Sequence, residues 1–145
     1  MAKYKFRYES IMKVKLMYEK KIQEEISRIN KEIEDLRFEM KHLVNENKRV
    51  SLQTTEKTVK AADFQSMKMY SAHLQYQIEV LERKIGACSK RKEEKHKELV
   101  ERKKEIKSLE IIKENDYQNY LIEERGTELK ALNEVALRNY NGTEH

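Results

Sequence analysis

Proline and tryptophan are absent from this chain of 145 residues, which also has only three glycines and one cysteine. Each shortage excludes something. A β-sandwich or an α/β domain needs frequent turns, and three glycines without proline cannot supply them. The single cysteine, Cys88, excludes an intrachain disulfide and points to a reducing compartment. No stretch approaches the ~18 consecutive apolar residues of a membrane span. The opening Met1-Ala2-Lys3-Tyr4-Lys5 has no apolar run of signal-peptide length. The expectation is one soluble, cytoplasmic domain.

Charge is abundant instead. Asp, Glu, Lys and Arg make up 39% of the chain, against about a quarter in an ordinary globular domain. The apolar share is 38%, too low for a large enclosed core. Disorder does not fit either, because Ile, Leu and Val recur at regular intervals. Long helix is the class that remains. The net charge of +5 is unevenly placed. Residues 1–21 carry seven cations and two acids, and residues 83–107 carry eleven cations and five acids. Residues 22–82 (nine cations, eleven acids) and 108–145 (four cations, eight acids) are net acidic.

From Ile22 the apolar residues fall at Ile26, Ile29, Ile33, Leu36, Met40 and Leu43, in steps of 4, 3, 4, 3, 4, 3. That is a heptad seam, and a 3.5-residue period keeps it facing one partner. The stripe continues forward through Asn47 and Val50, and backward through Tyr18, Lys15, Ile11 and Tyr8. Helix one is therefore expected over about 8–50, some 63 Å at 1.5 Å per residue. Residues 51–62 lose the heptad, and four of those twelve are Ser or Thr. Such side chains compete with the helix for its own backbone, so this stretch reads as the connection, with Thr58 or Asp63 capping the next helix.

The pattern returns at Leu74, Ile78, Leu81, Ile85 and Cys88, passes Lys92 and Lys95, and resumes at Leu99, Arg102, Ile106 and Leu109. Helix two is expected over about 62–139, followed by a short flexible tail, with Gly126 the candidate for a bend. Two heptad helices joined by a short connection close antiparallel. The expected fold is all-α, a long antiparallel two-helix coiled-coil hairpin. Folding about residue 57 sets Ile29 against Ile85, Ile26 near Cys88, Ile22 near Lys92 and Tyr18 near Lys95. Helix two outlasts helix one, leaving Tyr117, Tyr120, Leu121, Leu129, Leu132 and Val135 without an intrachain partner. Surface of this kind marks a partner site.

Catalytic chemistry is missing from the pattern. No two of His42, His73, His96 and His145 stand at i,i+4, there is no glycine-rich phosphate loop, and Cys88 sits on the seam. The expectation is a non-enzyme with no cofactor and no metal. Lys90-Arg91-Lys92 with Lys95 and Lys97 forms a basic patch, but Glu93, Glu94 and Glu98 interleave it. Nucleic-acid binding is accordingly the weaker alternative. A structural homo-oligomer is another, because isoleucine at consecutive seam positions favours three or four strands in parallel assemblies.

The opening Phe6-Arg7-Tyr8-Glu9-Ser10-Ile11 resembles the start of the flagellar FliJ family, with Lys15 where an arginine is usual. Tyr70-Ser71-Ala72-His73-Leu74-Gln75-Tyr76-Gln77-Ile78 is similar to that family's start of helix two. The stretch from Leu109 through Tyr120, Glu123-Glu124-Arg125 and Leu132-Asn133-Glu134-Val135-Ala136-Leu137-Arg138 is similar to its closing segment. The resemblance implies a cytoplasmic component of the flagellar type III export apparatus, peripheral to the inner face of the cell membrane at the flagellar base. It implies a stalk-like hairpin that links the export ATPase ring to the cytosolic domain of the export gate and assists late export chaperones. Membrane association would then arise only through that apparatus. By the same resemblance the gate side falls on Leu36, Met40, Leu43, Asn47, Tyr70, Leu74 and Gln77. The ATPase side falls on Phe6, Arg7, Tyr120, Leu132 and Arg138.

Overall fold

The computed structural model describes residues 3–56 and 60–143. It holds two helices, α1 (Glu9–Glu56) and α2 (Ala61–Thr143), packed against each other as an all-α hairpin, with no strand among the described residues. The chain divides into two compact units. One joins Met1–Glu19 to Glu101–His145, and the other is Lys20–Val100.

In the unit Lys20–Val100 the seam is the isoleucine run. Ile22, Ile26, Ile29 and Ile33 are buried from α1, and Leu74, Leu81 and Cys88 from α2. Ile29, Ile33 and Cys88 form one cluster, with Leu36 and Ile85 packed against it. No side chain anywhere among the described residues is sealed completely, because two helices cover each other on one side only. Burying an aliphatic side chain contributes about 1.5–3 kcal/mol, so a handful of such residues carries the pairing.

The ties across the seam show its direction. Glu25 meets Lys95 (2.8 Å), Glu32 meets Arg91 (3.0 Å), and Ser71 donates to the Asn47 side chain (2.6 Å). Higher numbers on α1 meet lower numbers on α2, which is the antiparallel arrangement. In the unit Met1–Glu19 with Glu101–His145, Glu9 pairs with Lys113 (3.2 Å) and Lys15 with Glu105 (2.7 Å) in the same sense. The hydrogen bond from Lys95, and then its charge, hold Glu25 below the ordinary carboxylate value, and Lys15 does the same for Glu105.

Four expectations need correction. First, α1 does not stop near residue 50 but reaches Glu56. Thr54 turns its hydroxyl onto the Ser51 carbonyl (2.7 Å), so it bonds the helix's own backbone without ending it. Second, α2 starts at Ala61, where the Lys60 carbonyl accepts the Phe64 amide (2.9 Å). Asp63 therefore lies within the first turn, where its charge suits the positive helix end, and does not cap it; Thr58 lies outside the described residues. The helix also continues past 139 to Thr143, through Gly126, whose φ is not positive.

Third, the seam N-terminal to Ile22 keeps strict heptad phase. It passes half-buried Glu19 and Lys15 to buried Met12, and leaves Ile11 and Tyr18 49% exposed. A continuous helix cannot rotate to follow isolated apolar residues, so the four isoleucines set the phase for the residues before them. Fourth, the register is shifted. Lys95 meets Glu25 and not Tyr18, which instead lies under the Arg102 guanidinium (5.3 Å), and Cys88 packs on Ile29 and Ile33.

A methyl group at Gly86 would meet nothing within 4 Å. Gly86→Ala is expected to raise stability by about 0.5–1 kcal/mol through helix propensity and lost unfolded-state freedom. Ile29→Ala should lower it by about 2–3 kcal/mol. Urea melts followed by circular dichroism read both; equal midpoints for the two variants would contradict this account.

Candidate partner-binding surfaces

The residues expected on the gate side all lie in the unit Lys20–Val100. Leu36, Met40, Leu43 and Asn47 are half-buried at successive seam positions. Leu74 is only 3% exposed and belongs to the core. Tyr70 and Gln77 are the two of the seven that face solvent. Two separate polar ties hold Asn47 and Tyr70. Ser71 donates to Asn47 and the Tyr70 hydroxyl donates to Glu46 (3.3 Å), which Arg49 also holds. The Arg49 hydrogen bond is the main reason that the Glu46 carboxyl sits below its ordinary value. A polar pair on an apolar seam penalises slipped registers, so Asn47 acts on alignment.

Sequence reasoning missed the large apolar side chains on the outer faces. Phe38 is 66% exposed and its ring meets His42 edge-on (5.0 Å centroid separation), while Met69 and Tyr76 are exposed on α2. Their signal was present. A bulky apolar residue out of heptad phase has no seam to enter.

Around residues 90–97 the basic patch is largely engaged. Arg91 pairs with Glu32, Lys95 with Glu25 and Glu98, and Lys97 with Glu93. Those pairings neutralise three of the five cations that a nucleic acid would contact.

The residues expected on the ATPase side lie in the other unit, and the structure separates them into two groups. Arg7, Leu132 and Arg138 are exposed. Phe6 is buried and Tyr120 half-buried, because both belong to a clasp. Residues ahead of α1 form a strap against α2. Tyr117 and Tyr120, expected to lack an intrachain partner, have one: the Tyr4 ring lies against them (5.2 and 5.3 Å), and its hydroxyl donates to the Asp116 carboxylate (3.0 Å), because the strap ahead of α1 folds onto α2. The Lys113 ammonium sits over the Phe6 ring (5.8 Å) and bonds Glu9 (3.2 Å). Tyr4 was not singled out from sequence, since it precedes the helix and falls outside the heptad pattern followed from Tyr8 to Val50. Beyond the clasp, α2 exposes Leu129, Leu132, Val135, Leu137 and Tyr140.

Partial burial, and then the Asp116 hydrogen bond, raise the Tyr4 phenol above its ordinary 10.0. A raised pKa in the folded state means that its stabilisation is complete below pH 10.0 and is lost as pH rises through the raised value. The strap is thus expected to release in strong alkali while the seam persists, a dependence that Tyr4→Phe should abolish. Phe6→Ala removes a buried ring and should speed amide exchange over residues 3–9 by about a hundredfold. Unchanged exchange in Phe6→Ala would show that the strap does not depend on that ring.

Among the described residues there is no group of three or more His, Cys, Asp or Glu that could hold a metal ion, and no helix long and apolar enough to cross a membrane. No curated protein and no solved structure matches the chain. A family model does, and it covers residues 4–145, nearly the whole sequence, under the description Flagellar FliJ protein. The match spans both helices and the strap. The chain belongs to the flagellar FliJ family, a family of structural and adaptor proteins of flagellar export.

Proposed function

We propose that this protein is the adaptor stalk of the flagellar type III export apparatus, joining the export ATPase ring to the cytosolic domain of the export gate and assisting late export chaperones. The observation that carries the reading is the family match over residues 4–145, on a chain folded as a two-helix hairpin. It works at the flagellar base on the cytoplasmic side.

The mechanism is mechanical. A hairpin passes a load from one partner to another only when its helices do not slide. The packed isoleucines resist separation, and the tooth-like ties Asn47–Ser71 and Glu32–Arg91 resist slippage. In this reading the ATPase takes the exposed Arg7, Leu132 and Arg138, with Leu129 and Val135 beside them on α2. The gate takes Tyr70 and Gln77. Leu74, Phe6 and Tyr120 support these surfaces from behind, since each is at least partly buried.

The homo-oligomer alternative draws on Ile22, Ile26, Ile29 and Ile33. All four are already buried within one chain, so a parallel assembly would have to break the hairpin to use them.

Affinity capture tests the proposal. The intact chain should recover both the export ATPase and the gate's cytosolic domain. Leu132→Asp with Val135→Asp should weaken ATPase recovery about tenfold or more and spare the gate. Tyr70→Ala with Gln77→Ala should do the reverse. If the intact chain recovers neither partner, the stalk reading fails.

A further inference from the structure

The hairpin leaves one face of α1 unused near its start. Ile11, Val14, Met17 and Tyr18 are all 49% or more exposed. At 3.6 residues per turn they fall within one sector of about 120°. This is an apolar stripe off the seam, because the seam here runs through Met12, Lys15 and Glu19.

The unpaired charges closest to the stripe within this unit are cations; Glu101, on the α2 flank of Glu105, is held by Lys104 (3.7 Å), and exposed Glu24 lies two turns beyond Met17. Lys13 borders it, and Lys3, Lys5 and Arg7 precede it in the strap, all exposed. None of these four is held by an ion pair described here. The acids of the same unit that come nearest are engaged or turned away. Glu9 bonds Lys113, and Glu19 is half-buried on the seam. Glu105 is held by Lys15 and Arg102, and Asp116 accepts the Tyr4 hydroxyl. By the helical repeat, Glu110 and Glu114 fall on the far flank of α2 from Glu105.

We propose that this face binds anionic phospholipid bilayers. An apolar stripe bordered by cations lies flat in a membrane interface, its side chains at the acyl boundary and its cations against lipid phosphates. Met17, 71% exposed, is the side chain best placed to enter that boundary, while the Tyr18 ring lies under the Arg102 guanidinium (5.3 Å) at the edge of the stripe. A second copy of the chain is a poor occupant, since like charges would meet. An acidic protein surface would match the cations but would leave the stripe without an apolar partner. Nothing in this argument depends on the export role.

The absence of tryptophan provides a clean probe. Full-length Met17→Trp should show blue-shifted emission with phosphatidylcholine vesicles containing phosphatidylglycerol, at low salt, and none with phosphatidylcholine alone. Phe38→Trp, on the outer face of the other unit, should not shift with either. Co-sedimentation of Lys5→Glu with Lys13→Glu, two exposed cations outside the proposed ATPase contacts, should fall about tenfold or more, and that of Val14→Ser with the native charges should fall about threefold. These positions are exposed, and circular dichroism of each variant should show the helical content of the native chain. No shift at Met17→Trp, equal shifts at both probes, or unaltered sedimentation after charge reversal would overturn the proposal. So would loss of export ATPase binding with vesicle binding intact in the charge-reversed chain, which would assign the face to an acidic protein surface.

Discussion

Burial of one isoleucine stripe between two helices is the constraint on which the other features depend. Ile22, Ile26, Ile29 and Ile33 occupy consecutive seam positions, and each buried aliphatic contributes a few kcal/mol at most. With so little core to spare, every residue on that line carries weight. The phase of this stripe then determines what happens elsewhere on α1. It sends Met12 inward, although Ile11 is the more apolar choice by type, and it turns Ile11, Val14 and Tyr18 to solvent. An exposed surface is thus a by-product of a packing decision made a few turns away.

Polar side chains complete what the isoleucines begin. Apolar contacts are non-directional, so a heptad seam alone tolerates slippage by a whole repeat. Asn47 with Ser71, Glu25 with Lys95 and Glu32 with Arg91 each lose a partner when the register moves. The two ion pairs among them are largely solvent-exposed and contribute little to overall stability. Their effect is on alignment. The same pairing consumes much of the basic patch around residues 90–97.

The clasp at the start of the chain changes how the candidate ATPase surface is divided. Phe6 and Tyr120 look alike in sequence to Leu132 and Arg138, since all four lie near an end of the chain. In the structure, the first two hold the strap to α2 and the last two are exposed. Among the residues expected on the gate side the division is similar. Leu74 supports the core from the same helix that presents Tyr70 and Gln77. A contact surface on a two-helix hairpin has to share its residues with the seam, because each helix is only a few residues around.

Composition and periodicity were enough to determine the all-α class, the two-helix pairing and the seam from Ile22 to Val50, because those follow from local spacing alone. The family was also readable, from the opening and closing segments. Helix ends were not, since Thr54 chooses between ending the helix and bonding its own backbone only when the surrounding turns exist. The inward turn of Met12 follows from carrying the heptad phase of Ile22 backward, whereas the register and the strap built on Tyr4 depended on the tertiary structure. Each is settled by a side chain meeting one roughly seventy to one hundred and ten positions away in the chain, as Tyr4 meets Asp116 and Glu25 meets Lys95, and spacing along one helix carries no information about the other.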